Sequence, residues 1–106
     1  MRRALARQDL VAIRARDPAC PSLAHAMVFF KGFAGVQAHR CAHELWLRGK
    51  TAAACLIQSR VSEAFGMDVH PAATIGPGFM VDHATGVVIG ETAVVGRDVT
   101  MLHAVT

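Results

Sequence analysis

Val69, Ile75, Val81, Val87, Ala93, Val99 and Val105 recur every six residues. No other feature constrains the fold as strongly. Gly76, Gly78, Gly86, Gly90 and Gly96 fall close to these positions. A period of six matches neither the helical repeat nor one long strand. It predicts a short strand and a turn per unit, with three units closing a triangular coil whose strands stack in parallel on the next coil. A sandwich edge or α/β strands would share the alternation but not the sustained period. Ile89-Gly90, Val95-Gly96 and Met101 form a second apolar series displaced by two residues. Both series are not expected to point inward equally, so a shift or bulge is expected around Ala84 to Val88. At three hexads per coil, the stretch from Val69 to Thr106 makes about two coils. Solenoids generally need about three or more units and a cap. The sequence therefore reads as cut short at its C-terminal end.

Before Phe65-Gly66 the pattern is helical. Gln8 to Arg16 suits a short helix ended by Asp17-Pro18, because proline pushes the preceding residue out of the α region. Pro21-Ser22 offers a start for a helix through Leu23, Met27 and Phe30, which Gly32 or Gly35 is expected to interrupt. A third helix is expected from about Val36 to Arg48, with Val36, Arg40, His43 and Leu47 near one face and Gly49 as its stop. Thr51 is expected to cap the last helix, which presents Ala54, Ile57, Val61 and Phe65 and ends at Gly66. The reading is α+β: a helical domain over residues 1–66, then an incomplete parallel β-helix over 67–106.

Composition narrows the functional classes. Apolar residues make up 53% of the 106, with 19 Ala but only 5 Phe, 1 Trp and no Tyr, so a disordered chain is excluded and a core of closely spaced backbones is implied. No window approaches the roughly 18 apolar residues of a membrane span, and the basic start lacks the apolar stretch of a signal peptide; a cytosolic protein is expected. Residues 1–60 carry ten Lys/Arg against three acids, while residues 61–106 carry Arg97 against five. The basic half has no aromatic stacking series, so its arginines read as a solvated helix face rather than a nucleic-acid site. Cys20, Cys41 and Cys55 form no CxxC pair, which argues against a disulfide framework or zinc knuckle. His39 and His43 share a helix face, but two ligands without a third make a weak metal site; no metal is expected.

Six short segments now occur in order: Arg16-Asp17-Pro18-Ala19, Phe30-Lys31-Gly32-Phe33, Gln37-Ala38-His39-Arg40, Gln58-Ser59-Arg60-Val61-Ser62, Asp68-Val69-His70-Pro71-Ala72-Ala73 and Val81-Asp82-His83-Ala84-Thr85-Gly86. With Val87-Val88-Ile89-Gly90-Glu91-Thr92-Ala93-Val94-Val95-Gly96 they closely resemble the serine O-acetyltransferase family of hexapeptide-repeat acyltransferases. The resemblance runs from about Asp9 to Thr106 and implies a left-handed β-helix. It implies acetyl transfer from acetyl-CoA to the hydroxyl of L-serine, with His83 as base and Asp68 orienting it. Asp17 and Asp82 match positions that bind serine. It further implies active sites between subunits of a trimer, with trimers pairing into hexamers, and acetyl-CoA as co-substrate with no tightly bound cofactor. Relative to the family, the first helices ahead of Met1 and the coils, CoA site and C-terminal tail after Thr106 read as absent. That tail docks on O-acetylserine sulfhydrylase, and this chain by itself is expected to be inactive or nearly so.

The chemistry stands beside the resemblance. A serine hydroxyl is a weak nucleophile until a base takes its proton, and a neutral imidazole of pKa about 6.5 suits that task. A carboxylate on the far ring nitrogen fixes the tautomer and stabilises the imidazolium. Acidic neighbours suit the cationic amino group of serine. Other roles are open at each position. His83 could be a polar corner, Asp68 a cap of the first turn, and Asp17 a turn residue before proline. His70 is a rival base but reads better as a support of the junction between the two domains. Lys31 could meet a CoA phosphate, though a solvated or interdomain role fits better; His103 has no assigned role. Fifteen residues separate Asp68 and His83, not a full coil, so their contact is expected to need Asp68 on an entry segment outside the regular coil. Two rivals stand beside the enzyme: a non-catalytic oligomerisation segment, and a hexapeptide acyltransferase with another acceptor.

Overall fold

The computed structural model describes residues 2–16, 31–81 and 84–106. The expected helix through Leu23 to Phe30 and the residues Asp17, Asp82 and His83 lie outside the described residues. Three helices are described: α1 (Arg2–Arg16), α2 (Lys31–Leu47) and α3 (Thr51–Phe65). Six two-residue strands follow: β1 (Asp68–Val69), β2 (Thr74–Ile75), β3 (Met80–Val81), β4 (Val88–Ile89), β5 (Val94–Val95) and β6 (Thr100–Met101).

The first strands pair in parallel with the second set: β1 with β4, β2 with β5, β3 with β6. Asp68 lies opposite Val88, Thr74 opposite Val94 and Met80 opposite Thr100, so this layer repeats after twenty residues rather than eighteen. The cause is one corner. Residues 70–73, 76–79, 90–93 and 96–99 join their strands with four residues each, whereas 82–87 uses six. The extra pair therefore falls between Val81 and Val88, where the shift was expected, and in the corner that contains Asp82 and His83.

The two displaced apolar series do not compete, contrary to expectation. Residues two apart on a strand share a face. Met67, Ala73 and Phe79 are buried, and so are Val69, Ile75 and Val81, each set beneath its partners twenty residues on. Every hexad thus sends two side chains inward. The residue between them faces out at Asp68, Thr74, Val88 and Val94, whereas Met80 between Phe79 and Val81 is buried. Close backbone stacking explains Gly76, where an added Cβ would come within 2.6 Å of the Gly96 carbonyl oxygen.

The helices correct three further expectations. α1 begins at Arg2, well before Gln8. α2 runs unbroken through Gly32 and Gly35. Both glycines are buried there: a Cβ on Gly32 would collide with the Val81 carbonyl oxygen, and one on Gly35 would lie 2.8 Å from Met67 Sδ. Their role is close approach of α2 to the strands, which outweighs the roughly 1 kcal/mol propensity cost of a helical glycine. The N-cap of α3 is Lys50, with no side-chain cap bond, and Thr51 is already helical. Gly49 and Gly66 end their helices as expected, with φ of +79° and +67°. α3 buries Ala54 and Val61, with Ile57 and Phe65 half-buried, against a core that Val36, Met67 and Val69 share. Leu47 shares a face of α2 with Arg40 and His43, as expected, and is 71% exposed there.

Candidate functional site

The first coil is an open sheet edge. In a parallel ladder, alternate residues turn their N–H and C=O toward opposite neighbours. Gly76 N–H donates to the Val95 carbonyl (2.8 Å), while the Ile75 carbonyl faces away from that layer and needs another donor. The helices supply it with polar side chains. Arg40 donates to the carbonyls of Ile75 (2.9 Å) and Gly76 (3.0 Å). His39 Nε2 lies 3.1 Å from the Ala73 carbonyl and His43 Nδ1 lies 2.8 Å from that of Pro71. A carbonyl only accepts, so each of these ring nitrogens carries its hydrogen.

Asp9 of α1 locks this cap. It is fully buried and accepts from Arg40 Nε and a terminal guanidinium nitrogen (both 2.9 Å), Gln37 (2.7 Å) and the Phe79 backbone N–H (2.9 Å). One carboxylate thus ties α1, α2 and the second corner together. Burial, with the neighbouring His43 and Arg40, lowers the pKa of His39 from 6.5 to about 4, so His39 is neutral at physiological pH. His39 and His43 stack at 5.9 Å, each committed to a carbonyl. Among the described residues no cluster of three suits a metal ion.

The second polar centre surrounds the six-residue corner. Asp68 sits in β1 within the regular ladder, opposite Val88, not on an entry segment. Its backbone N–H donates to the Val87 carbonyl (2.8 Å), and its Oδ1 accepts from Gln58 Nε2 of α3 (2.8 Å). The corner is held at both ends. Gly32 packs on the carbonyl of Val81, and Lys31 donates from Nζ to Thr85 Oγ1. Gly86 N–H donates to the Gly66 carbonyl (2.8 Å). Ala84 turns the chain at φ +58° and is fully buried. Asp68 and Gln58 therefore lie beside Val87, and Lys31 beside Thr85, within the described part of the connection between β3 and β4.

His70 lies in the corner after β1. Its Nδ1 accepts from Ala72 N–H (3.0 Å), its ring meets the edge of Trp46 at 5.0 Å, and Nε2 is 3.7 Å from Glu91. It sits where α2 meets the strands. Lys31 bonds to the corner rather than standing free, and His103 is exposed on the turn after β6. Gln58, Asp9 and the capping role of Arg40 were not anticipated. The signal was there for two of them: Gln58 and Arg40 occupy stripes otherwise carrying Ala54, Val61 and Val36. A polar residue in an apolar stripe is expected to have a specific partner.

Helices capping stacked short strands of a six-residue repeat, with an enlarged corner beside a carboxylate, place the chain among hexapeptide-repeat proteins. A family profile described as "Serine acetyltransferase, N-terminal" matches residues 2–38. The chain is 61% identical over 101 residues to "Probable serine acetyltransferase 4" of Oryza sativa subsp. japonica, covering 95% of this chain and 32% of that relative. Among solved structures, a soybean serine acetyltransferase complexed with serine superposes with TM-score 0.94 at 50% identity, over 97% of this chain and 42% of that one. A serine acetyltransferase complex with CoA gives TM-score 0.92 at 43% identity, over 93% of this chain and 42% of that one. The chain is similar to serine acetyltransferases along nearly its whole length, and it spans about a third of the length of the curated relatives it matches.

Proposed function

We propose that these residues supply the base and part of the serine site of a serine O-acetyltransferase. The reaction moves acetyl from acetyl-CoA to the hydroxyl of L-serine and yields O-acetylserine and CoA. In this reading residues 1–66 form the assembly and substrate domain, and residues 67–106 begin a left-handed parallel β-helix of about two coils. The observation that carries the reading is the position of Asp68: its outward carboxylate is bonded to Gln58, and its backbone N–H bonds to Val87 at the described end of the 82–87 connection between β3 and β4. The serine and CoA complexes of the relatives support the two substrates.

His83 takes the proton of the serine hydroxyl, and Asp68 accepts from its far ring nitrogen, fixing the tautomer and stabilising the imidazolium. The serine oxygen attacks the thioester carbonyl. The tetrahedral adduct collapses with cleavage of the C–S bond, and His83 returns its proton to the departing thiolate. Asp17 and Asp82 hold the ammonium of serine. The protein works as a homo-oligomer, a trimer or pair of trimers, in the cytoplasm; among the described residues no helix is long and apolar enough to cross a membrane.

The test is acetyl-CoA-dependent thiol release with serine in the full-length protein. His83→Ala is expected to lower kcat by about 10²–10⁴-fold with assembly intact. Undiminished turnover would reject the mechanism in favour of an assembly role. Faster turnover with another hydroxyl or amine acceptor would reject serine as the substrate.

A further inference from the structure

We infer that Gln58 is a positioning residue for this reaction: its amide fixes one oxygen of Asp68 so that the other is presented to His83. The inference rests on the reading of Asp68 and His83 given above, and it concerns a residue of the helical half, outside the repeats.

Two restraints act on Asp68. Its main chain is pinned to the Val87 carbonyl at 2.8 Å, and its Oδ1 is pinned to Gln58 Nε2, also at 2.8 Å. Together they fix the plane of the carboxylate, and with it the direction of Oδ2. Gln58 is itself held, since it lies on α3 between the buried Ala54 and Val61 and is half-buried. The chemistry of the donor matters as much as its place. An arginine or lysine here would orient Asp68 but also neutralise it, and so weaken its hold on an imidazolium. A glutamine donates without charge. The carboxylate keeps its full negative charge for the proton-bearing ring. The bond also couples the rigid helical half to the reacting corner, since α3 and β1 are separated by only Gly66 and Met67.

The test uses the full-length protein and two near-isosteric variants. Gln58→Met keeps the bulk but cannot donate. It is expected to lower kcat about tenfold while leaving KM for serine and for acetyl-CoA within about twofold, because a hydrogen bond to a charged group is lost without touching substrate. The acid limb of the pH profile of kcat/KM is expected to move to lower pH, since a poorly aimed carboxylate stabilises the imidazolium less. Gln58→Glu adds a negative charge beside Asp68 and is expected to move the same limb to higher pH. Opposite movements in two variants with unchanged unfolding midpoints exclude a merely structural role. A wild-type kcat and an unmoved limb in Gln58→Met would overturn the inference. The parallel measurement of His83→Ala separates the failures. If His83→Ala is inactive and Gln58→Met is unaffected, Gln58 alone is misassigned. If His83→Ala is active, the reading beneath it falls.

Discussion

Replacing Arg40 with Met tests whether polar capping holds the helices to the coil. Arg40 is 5% exposed and Asp9 is 0% exposed. The guanidinium makes four bonds, two to Asp9 and one each to the Ile75 and Gly76 carbonyls. Methionine fills much of the same space but leaves a buried carboxylate with Gln37 and the Phe79 N–H as its donors. Breaking one side of a buried pair typically costs about 3–5 kcal/mol, a large share of the roughly 5–15 kcal/mol that keeps a domain folded. Many buried pairs can be replaced by apolar residues at little cost. This one differs, because Asp9→Leu with Arg40→Met would still strip donors from two carbonyls and the acceptor from Phe79 N–H. At roughly 1–3 kcal/mol for each orphaned group, the double variant is expected to remain at least about 3 kcal/mol below wild type. Urea unfolding followed by circular dichroism measures both. Arg48→Met is the control: that residue pairs with Glu44 on the exposed surface of α2 and is expected to change stability by less than about 0.5 kcal/mol. The capping argument is refuted if Arg40→Met loses under about 1 kcal/mol, or if the double variant regains wild-type stability.

His39 makes stability pH-dependent. Its pKa is lowered to about 4 by burial, below the 6.5 of the unfolded chain, so the unfolded state binds more protons between these values. Its contribution is fully present above pH 6.5 and is lost as pH falls toward 4; unfolding free energies measured across that window are expected to fall, and His39→Gln to flatten the slope. Gly32→Ala is expected to drive α2 away from the Val81 carbonyl and reduce turnover through the neighbouring corner; an unchanged melting temperature together with full activity would contradict the close-packing role. Val94 is 77% exposed on an apolar outer position of β5. If it lies in the proposed oligomer interface, Val94→Asp is expected to yield smaller species by light scattering while the far-UV spectrum stays the same.

The sequence by itself determined the local geometry. The recurrence from Val69 to Val105 required short stacked strands, because only a turn every six residues returns a small apolar side chain to the same flat face. Gly49 and Gly66 marked helix ends, because each occupies a left-handed conformation that other residues resist. The two-residue displacement between the apolar series also pointed to the enlarged corner around Ala84. Tertiary structure decided the rest. Gly32 and Gly35 look like helix breaks until the strands beneath α2 are seen, and then they are the points of closest approach. Asp9, Arg40, His39 and Gln58 read as ordinary helix residues, and only the fold reveals the carbonyls and the carboxylate they serve. The physical reason is range. Periodicity and turn conformation are set within a few neighbouring residues, whereas the partner of a buried polar group is chosen by packing between segments as far as seventy residues apart.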